Sequence, residues 1–263
     1  MILFILLKFY PFCGADRARC RKVFLYLFHK RGDILKDINM TGSLNPKRVF
    51  ELFSYKIAYA KEHPEELRTT GIRIFCGSQG SGKTLSAVQY VRKLLVQYPK
   101  CILVTNTDIA GIPENVHVYE YDGIDCLKNI NNGEYGVVYF IDEIHLELNS
   151  LESKNIDIDV MVELSQQRKQ RKHIVGTSQI YMRMAKPLRE QVKDIILCKN
   201  YFGFLQINTQ IDGFESHEEN GKLVAVVDHR DIWFHYPALY EAYDTYAKMK
   251  RYNQEWNGRE RLK

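Results

Sequence analysis

The sequence predicts an α/β fold in which a mainly parallel β-sheet is flanked by helices and followed by a C-terminal β-hairpin. Short apolar runs at residues 72–76, 101–105 and 137–141 have the length of buried strands, and helical patterns separate them. Strands that alternate with helices form parallel sheets with both faces covered. The 263 residues are enough for one such core and a small appendage.

The predicted elements divide the chain into three parts. Residues 1–70 form a basic, aromatic N-terminal segment with a helix, residues 71–210 form the core, and residues 211–263 contain the C-terminal hairpin and a polar, aromatic tail. The predicted helices cover residues 46–58, 85–98, 156–171 and 185–192. The predicted strands cover residues 72–76, 101–105, 116–121, 137–141, 174–177, 195–198, 202–210 and 223–228, with the last two as the hairpin.

Positive charge is concentrated near the N-terminus. The net charge of +5 is too small to indicate nucleic-acid binding by itself, but residues 1–50 contain ten Lys and Arg residues against three Asp residues. Such a segment can contact phosphates or anionic lipid, and it can equally be a solvated face. Residues 1–7 are apolar but too few to span a bilayer. The six cysteines form no C-x-x-C pair, which favours a reducing cytoplasm over a zinc site or a disulfide scaffold.

A glycine-rich loop carries the most specific motif in the sequence. Every position of G-x-x-x-x-G-K-[ST] is matched by Gly77-Ser78-Gln79-Gly80-Ser81-Gly82-Lys83-Thr84. The loop follows a predicted strand and opens a predicted helix, which is the context that a P-loop requires. Its backbone N–H groups and the helix N-terminus favour phosphate, Lys83 is expected to neutralise the β- and γ-phosphates, and Thr84 is expected to hold Mg²⁺. We therefore predict a site for ATP with Mg²⁺.

Two acidic residues follow the apolar strand at residues 137–141. Asp142 lies at the carboxyl end of this strand, where ligands bind in open α/β sheets, and is expected to hold the Mg²⁺ shell. Glu143 is the natural general base to polarise a hydrolytic water. The alternative is an acidic helix cap after a core strand.

A third strand ends in a polar group at His173-Ile174-Val175-Gly176-Thr177-Ser178-Gln179. Gln179 can hydrogen-bond both a water molecule and a phosphate without repelling either, so it is expected beside the γ-phosphate. The alternative is an ordinary polar residue in the turn after a strand.

The densest positive run is Ser165-Gln166-Gln167-Arg168-Lys169-Gln170-Arg171-Lys172-His173. Such a run can be a solvated helix end, because cations suit a helix C-terminus. It can also be a DNA-facing edge, or it can donate an arginine finger to a neighbouring subunit through Arg168 or Arg171. Arg183 and Arg189 are competing finger candidates.

These motifs together resemble the zonula occludens toxin (Zot)-like ATPases, which are filamentous-phage assembly proteins within the FtsK–HerA group of DNA-pumping ATPases. The resemblance covers residues 71–210 and includes, besides the motifs above, Pro-Leu-Arg-Glu-Gln-Val at residues 187–192. It implies a RecA-like P-loop NTPase core, assembly into a homo-oligomeric ring, and action on phage DNA. The positions that match the family's nucleotide site are Lys83, Thr84, Asp142, Glu143 and Gln179.

The sequence departs from many of these relatives after the core. Where they carry a transmembrane helix, residues 231–263 are polar and aromatic. This favours a cytoplasmic motor that docks at the inner face of the host membrane on a phage or host assembly protein, or a packaging or transfer ATPase. The alternatives are a nucleotide or small-molecule kinase and an ATP-gated scaffold protein without motor activity.

Overall fold

The computed structural model describes residues 46–146, 162, 164–219 and 222–243. Within these residues the helices are α1 (Pro46–Glu62), α2 (Lys83–Gln97), α3 (Cys126–Asn129), α4 (Lys186–Arg189) and α5 (Pro237–Tyr240). The strands are β1 (Gly71–Cys76), β2 (Ile102–Thr105), β3 (His117–Glu120), β4 (Val137–Ile141), β5 (Lys172–Ser178), β6 (Val192–Tyr201), β7 (Leu205–Asp212), β8 (His217–Glu219), β9 (Lys222–Val224) and β10 (Val227–Phe234).

Eight strands form one sheet in the order β10-β7-β6-β1-β5-β4-β2-β3. The strands from β3 to β6 in this order are parallel, whereas β7 and β10 are antiparallel additions at one edge. β8 and β9 form a separate two-stranded hairpin between β7 and β10. The predicted α/β class, with a mainly parallel sheet flanked by helices and a C-terminal hairpin, is confirmed. The division into parts at residues 70 and 210 stays a prediction.

The core has two apolar layers, one on each face of the sheet. Side chains alternate between the faces along each strand, so Ile74 and Tyr139 join one layer while Phe75 and Val138 join the other, which packs against α2. All five residues of β4 are buried. This burial explains why the central strands read as continuous apolar runs rather than as alternating patterns.

Two helix predictions are wrong at their C-terminal ends. The first is the helix predicted over residues 156–171, of which residues 156–161 and 163 lie outside the described residues. The described part is helical up to residue 165, and the chain forms a turn from residue 166 onward. Arg171 ends this turn with φ 50°, a left-handed conformation, just before β5 begins. The second, over residues 185–192, shortens to α4 because Val192 begins β6, where it pairs with Ile72 of β1.

Other elements also depart from their predicted bounds: α1 continues to Glu62, β6 extends three residues beyond each predicted end, and the strand predicted over residues 223–228 is divided between β9 and β10. The hairpin that joins β6 and β7 was not predicted, because Phe202 to Gln210 read as one strand. Phe202 instead lies in the turn with φ 55°. Across the described ranges, no helix combines the length and the apolar character needed to cross a membrane.

A buried ion pair joins β1 to β6, the last parallel strand before the antiparallel edge of the sheet. Arg73 on β1 faces Asp194 on β6, with Nη2 2.7 Å from Oδ2. The Cζ atom of Arg73 lies over the ring of Tyr90 on α2, 4.5 Å from the ring centroid. Gln210 of β7 donates a hydrogen bond to Asp194 Oδ1 at 3.1 Å. The pair therefore connects α2, β1, β6 and β7.

Arg73→Met should lower the free energy of unfolding by roughly 3–5 kcal/mol, because it leaves the Asp194 carboxylate buried without its cation. Urea denaturation monitored by circular dichroism measures this change. The double variant Arg73→Met/Asp194→Asn removes the uncompensated charge and keeps the acceptor for Gln210, so it should recover most of the loss. Equal stability of the single and double variants would show that the charge is already hydrated.

Candidate nucleotide-binding site

The predicted P-loop lies between β1 and α2, and two of its glycines are required by their surroundings. A Cβ atom at Gly77 would overlap the Ser81 side chain and lie 2.9 Å from the carbonyl oxygen of Cys198. Gly82 has φ 78°, and a Cβ atom there would overlap the side chain of Gln206 on β7. Gln206 also donates to the carbonyl oxygen of Ser81 at 3.0 Å, so β7 supports the loop from behind.

α2 begins at Lys83 with an open N-terminal end. Its N-cap residue is Gly82, which has no side chain to accept hydrogen bonds from the first turn. The first N–H groups of a helix and its positive dipole end favour an anion when no side chain satisfies them. The loop therefore has the geometry of a phosphate-binding site.

The residues predicted to contact phosphate and metal meet two acidic residues at the end of β4. Lys83 Nζ lies 2.9 Å from Glu143 Oε1, and both side chains are largely buried. Thr84 Oγ1 donates to Asp142 Oδ1 at 3.1 Å. Thus Lys83, Thr84, Asp142 and Glu143, which are up to 60 positions apart in the sequence, share one site.

Asp142 is the most enclosed acidic residue of the site. Thr177 on β5 donates to its Oδ1 atom, and Tyr243 donates to its Oδ2 atom at 3.0 Å. Asn106 holds its backbone by accepting from the Asp142 N–H at 2.9 Å and donating to its carbonyl oxygen at 3.1 Å. Burial raises the pKa of Asp142 in spite of these donors. Burial and the adjacent carboxylate also raise the pKa of Tyr243, so its phenol group stays protonated and donates.

Glu143 has a strained backbone at the entrance to the site. Its φ of 49° is left-handed, and the Thr177 hydroxyl oxygen accepts its N–H at 2.8 Å. His145 Nδ1 lies 3.2 Å from Glu143 Oε2, but burial lowers the pKa of His145, so this imidazole is neutral near pH 7. The cation that neutralises Glu143 is therefore Lys83.

Gln179 follows the last residue of β5 and is exposed. β5 lies between β1 and β4, and the Gly77 N–H donates to the Ser178 carbonyl oxygen at 3.3 Å, which places Gln179 next to the start of the P-loop. Its expected contact with a γ-phosphate stays a prediction.

The basic run is only partly available at the surface. Arg171 Nη1 lies 2.9 Å from Glu66 Oε2, and the buried Lys172 donates to the carbonyl oxygen of Leu127. Arg168 and Lys169 are exposed. All four precede or begin β5, whereas the P-loop lies at the carboxyl ends of the strands. The run is therefore remote from the nucleotide site of its own chain.

The two other arginine candidates lie after β5. Arg183 is exposed, and its charge helps to lower the pKa of His145, after the larger effect of burial, so Arg183 is near this chain's own site. Arg189 instead has Nη1 3.1 Å from the sulfur of Met182 and 3.5 Å from its carbonyl oxygen.

Four residues of the site were not assigned a role from the sequence. Thr177 lies in the predicted strand motif, where Gln179 was the residue singled out, and its position two residues earlier on an alternating strand could have indicated the role. Asn106 directly follows β2, whose neighbour is β4, so the shared carboxyl edge of the sheet could have indicated it. No local pattern points to Gln206 or Tyr243, which reach the site only through the tertiary fold.

The donor set fits Mg²⁺ bound with a nucleotide. This ion prefers oxygen ligands in octahedral geometry, and proteins usually provide one or two of them beside substrate phosphates and water. Thr84 and Asp142 supply a hydroxyl group and a buried carboxylate. Within the described ranges no group of three or more His, Cys, Asp or Glu residues could hold a metal ion.

No protein family and no curated protein matches the chain in sequence. Solved structures that are similar include the N-terminal domain of zonular occludens toxin from Neisseria meningitidis, at 17% identity and a TM-score of 0.48, covering 67% of this chain and 100% of that one. The genome packaging NTPase B204 from Sulfolobus turreted icosahedral virus 2, in complex with ATP-gammaS, is 13% identical with a TM-score of 0.43, and the match covers 64% of this chain and 97% of B204. The FIGL-1 AAA domain in complex with ADP is 13% identical with a TM-score of 0.32, and the match covers 54% of this chain and 52% of that domain.

The first of these structures is a domain of the family that the sequence motifs resemble, and B204 and the FIGL-1 domain are nucleotide complexes.

Asp142→Asn should make the nucleotide-free protein more stable at pH 7. A carboxyl group with a raised folded-state pKa disfavours folding while it is ionised, and this cost disappears below its unfolded pKa of about 3.9. The stability difference between the variant and the wild type should therefore shrink as the pH falls towards 4. Each kcal/mol gained in the free energy of unfolding should raise Tm by roughly 2–4 °C in a thermal denaturation scan without nucleotide.

The control is Asp125→Asn, which neutralises an exposed carboxylate and should change Tm little. A lower Tm for Asp142→Asn at pH 7 would mean that the hydrogen bonds to Asp142 outweigh its desolvation. The Asp142→Asn variant should also lose Mg²⁺-dependent nucleotide binding, whereas Asp125→Asn should keep it.

Proposed function

We propose that this chain is a Mg²⁺-dependent ATPase. The proposal rests on one observation, the convergence of the P-loop residues Lys83 and Thr84 on the adjacent acidic residues Glu143 and Asp142. This arrangement supplies separate groups for phosphate binding, metal binding and proton transfer at one edge of the sheet.

The roles follow from the environment of each side chain. The P-loop N–H groups and Lys83 bind and orient the phosphates, and Thr84 and Asp142 hold Mg²⁺. When bound, the metal neutralises charge that develops on the phosphate oxygens. Asp142 is enclosed by donors and cannot act as a base, whereas Glu143 Oε2 accepts no hydrogen bond within the described structure and can take a proton from a water molecule.

The contact between Lys83 and Glu143 links nucleotide binding to catalysis. Without nucleotide, Lys83 neutralises Glu143 at 2.9 Å. A bound triphosphate carries more negative charge than one carboxylate, so the Lys83 ammonium group pairs with the phosphates instead of with Glu143. Glu143 is then free to act as a base only when substrate is present.

The presence of this base favours hydrolysis over transfer to a second substrate. A small-molecule kinase has less need of a carboxylate that activates water, and a nucleotide-gated scaffold has no need of it. We infer that ATP is the substrate, with release of ADP and phosphate.

We further infer that hydrolysis drives work on DNA in a homo-oligomeric ring, as the resemblance to Zot-like ATPases implies, at the cytoplasmic face of a membrane with a phage or host assembly protein as partner. The exposed Arg168 and Lys169 support a contact with phosphates away from the nucleotide site. Among the finger candidates, Arg168 and Arg183 are exposed, whereas Arg171 is held by Glu66 within its own chain. An arginine from a neighbouring subunit would raise the rate by about 10³–10⁵.

Glu143→Gln should bind ATP but hydrolyse it at least about 10²-fold more slowly, since it keeps the size of the base but cannot accept the proton. Lys83→Ala should instead lose ATP binding. Binding of a fluorescent ATP analogue and steady-state phosphate release measure the two effects, and circular dichroism checks the fold.

His145→Asn is the matched control for Glu143→Gln, because it changes a neighbour of Glu143 without changing the base. Hydrolysis by Glu143→Gln near the wild-type rate would contradict the role of Glu143. Undiminished binding by a folded Lys83→Ala protein would contradict the site assignment as a whole.

Replacing Arg168 and Lys169 by Ala should reduce the salt dependence of DNA binding. Each phosphate contact contributes about 0.9 to the slope of log affinity against log salt for duplex DNA, so the slope should fall by about two if both residues make such a contact. Fluorescence anisotropy with labelled DNA from low to physiological salt, with a nucleotide analogue present, measures the slope.

Lys186→Ala is the control, since it removes an exposed lysine from α4. An unchanged slope in the double variant would remove this turn from the DNA interface. An absence of DNA binding at low salt would contradict the motor function but leave the ATPase proposal standing.

A further inference from the structure

The chain after β10 crosses the carboxyl edge of the sheet, and we call residues 235–243 the C-terminal strap. On one side, Tyr240 donates to the carbonyl oxygen of Gly203 at 2.9 Å. Leu239 and Ala242, which flank Tyr240, are buried in the apolar layer around α2. At its end, the Ala110 N–H donates to the Ala242 carbonyl oxygen at 2.9 Å, and Tyr243 forms an antiparallel bridge with Ile109. The strap thus runs from the β6–β7 turn to the loop after β2.

The last residue of the strap enters the site through its side chain. The Tyr243 hydroxyl group donates to Asp142 Oδ2 at 3.0 Å, while Thr84 and Thr177 donate to Oδ1. Donors therefore occupy both oxygens of the carboxylate that faces the predicted metal position. Thr84 belongs to α2 and Thr177 to β5, whereas Tyr243 lies on a separate segment that follows the last strand of the sheet.

The contact of Tyr243 competes with hydrated Mg²⁺ for the same oxygen. Mg²⁺ demands nearly ideal octahedral geometry and keeps several water molecules, whose O–H groups need acceptors nearby. A phenol that donates to Asp142 Oδ2 fills one such acceptor position, and its positively polarised hydrogen is repelled by a divalent cation. Of the three donors, only Thr84 also has a direct role towards the metal, through its oxygen.

We propose that the C-terminal strap is a latch that closes on the metal side of the nucleotide site. Tyr243 holds Asp142 in the nucleotide-free chain, and the strap leaves this position when Mg²⁺ and nucleotide bind together. The proposal rests on the proposed function in one respect, that Asp142 belongs to the metal site. It adds that the C-terminal region changes its contacts with the state of the nucleotide.

Removal of the phenol hydroxyl group tests the competition. Tyr243→Phe keeps the ring and should bind the fluorescent ATP analogue with Mg²⁺ about threefold to tenfold more tightly, the equivalent of one hydrogen bond. Without Mg²⁺, in the presence of a chelator, the affinity should equal that of the wild type. Tyr236→Phe is the matched control, because Tyr236 belongs to the strap but lies before α5 and does not bond to Asp142, and it should change neither value.

A covalent lock tests the movement of the strap. Ala110→Cys/Ala242→Cys places two thiols on facing segments at the bridge, and oxidation should join them. The oxidised protein should bind the analogue with Mg²⁺ at least about tenfold more weakly than the reduced protein, with no difference when the metal is chelated. The two single-cysteine variants, treated with the same oxidant, control for effects on other thiols.

The rate of disulfide formation gives a second readout that does not depend on activity. Mg²⁺ with the analogue should slow oxidation of the double-cysteine variant severalfold, because the strap then spends less time beside the loop after β2. Equal Mg²⁺-dependent affinity in the locked and reduced proteins, or in Tyr243→Phe and the wild type, would overturn the latch alone. Undiminished nucleotide binding by Lys83→Ala would instead overturn the proposed function.

Discussion

The buried carboxylate of Asp142 is the constraint on which the site depends. A charged group with so little exposure to water is costly unless donors surround it, and donors from α2, β5 and the C-terminal strap do so here. The raised pKa shows that these hydrogen bonds do not fully compensate the desolvation. The folded chain therefore keeps a carboxylate that a divalent cation would stabilise. The ionised carboxylate lowers the folding stability of the nucleotide-free chain, and the same incomplete compensation should favour binding of a metal ion at Asp142.

The order of the strands explains how distant motifs meet. β5 lies between β1 and β4, so the hydroxyl group of Thr177 reaches both Asp142 Oδ1 and the N–H of Glu143. Because β1, β5 and β4 are parallel, their carboxyl ends lie at the same edge of the sheet. The ion pair of Arg73 and Asp194 fixes β6 beside β1, and β7 then brings Gln206 behind the P-loop. The position of the loop thus depends on both the parallel strands and the antiparallel edge.

The sequence predicts the parts of the site that local chemistry determines. The P-loop, the pair Asp142-Glu143 and the central strands follow from glycine spacing and from continuous apolar runs. It does not predict Tyr243, because a tyrosine in a polar tail has no local pattern and gains its role only when the strap crosses the sheet. It also does not predict the contacts within the basic run, since periodicity and charge do not show that Arg171 pairs with Glu66 or that Lys172 is buried. Such pairings depend on contacts between residues far apart in the sequence.

Adjacent carboxylates with different surroundings can divide two tasks between them. Asp142 is held by three hydroxyl donors and has no cation within the described structure, whereas Glu143 has Lys83 at 2.9 Å and a neutral imidazole nearby. A shift of Lys83 from Glu143 to a phosphate would leave the Glu143 carboxylate without its cation in a largely buried position. The same event would bring a metal to Asp142 and stabilise its ionised form. Nucleotide binding would therefore release Glu143 from its cation and supply one to Asp142, so that the two neighbouring carboxylates take different partners.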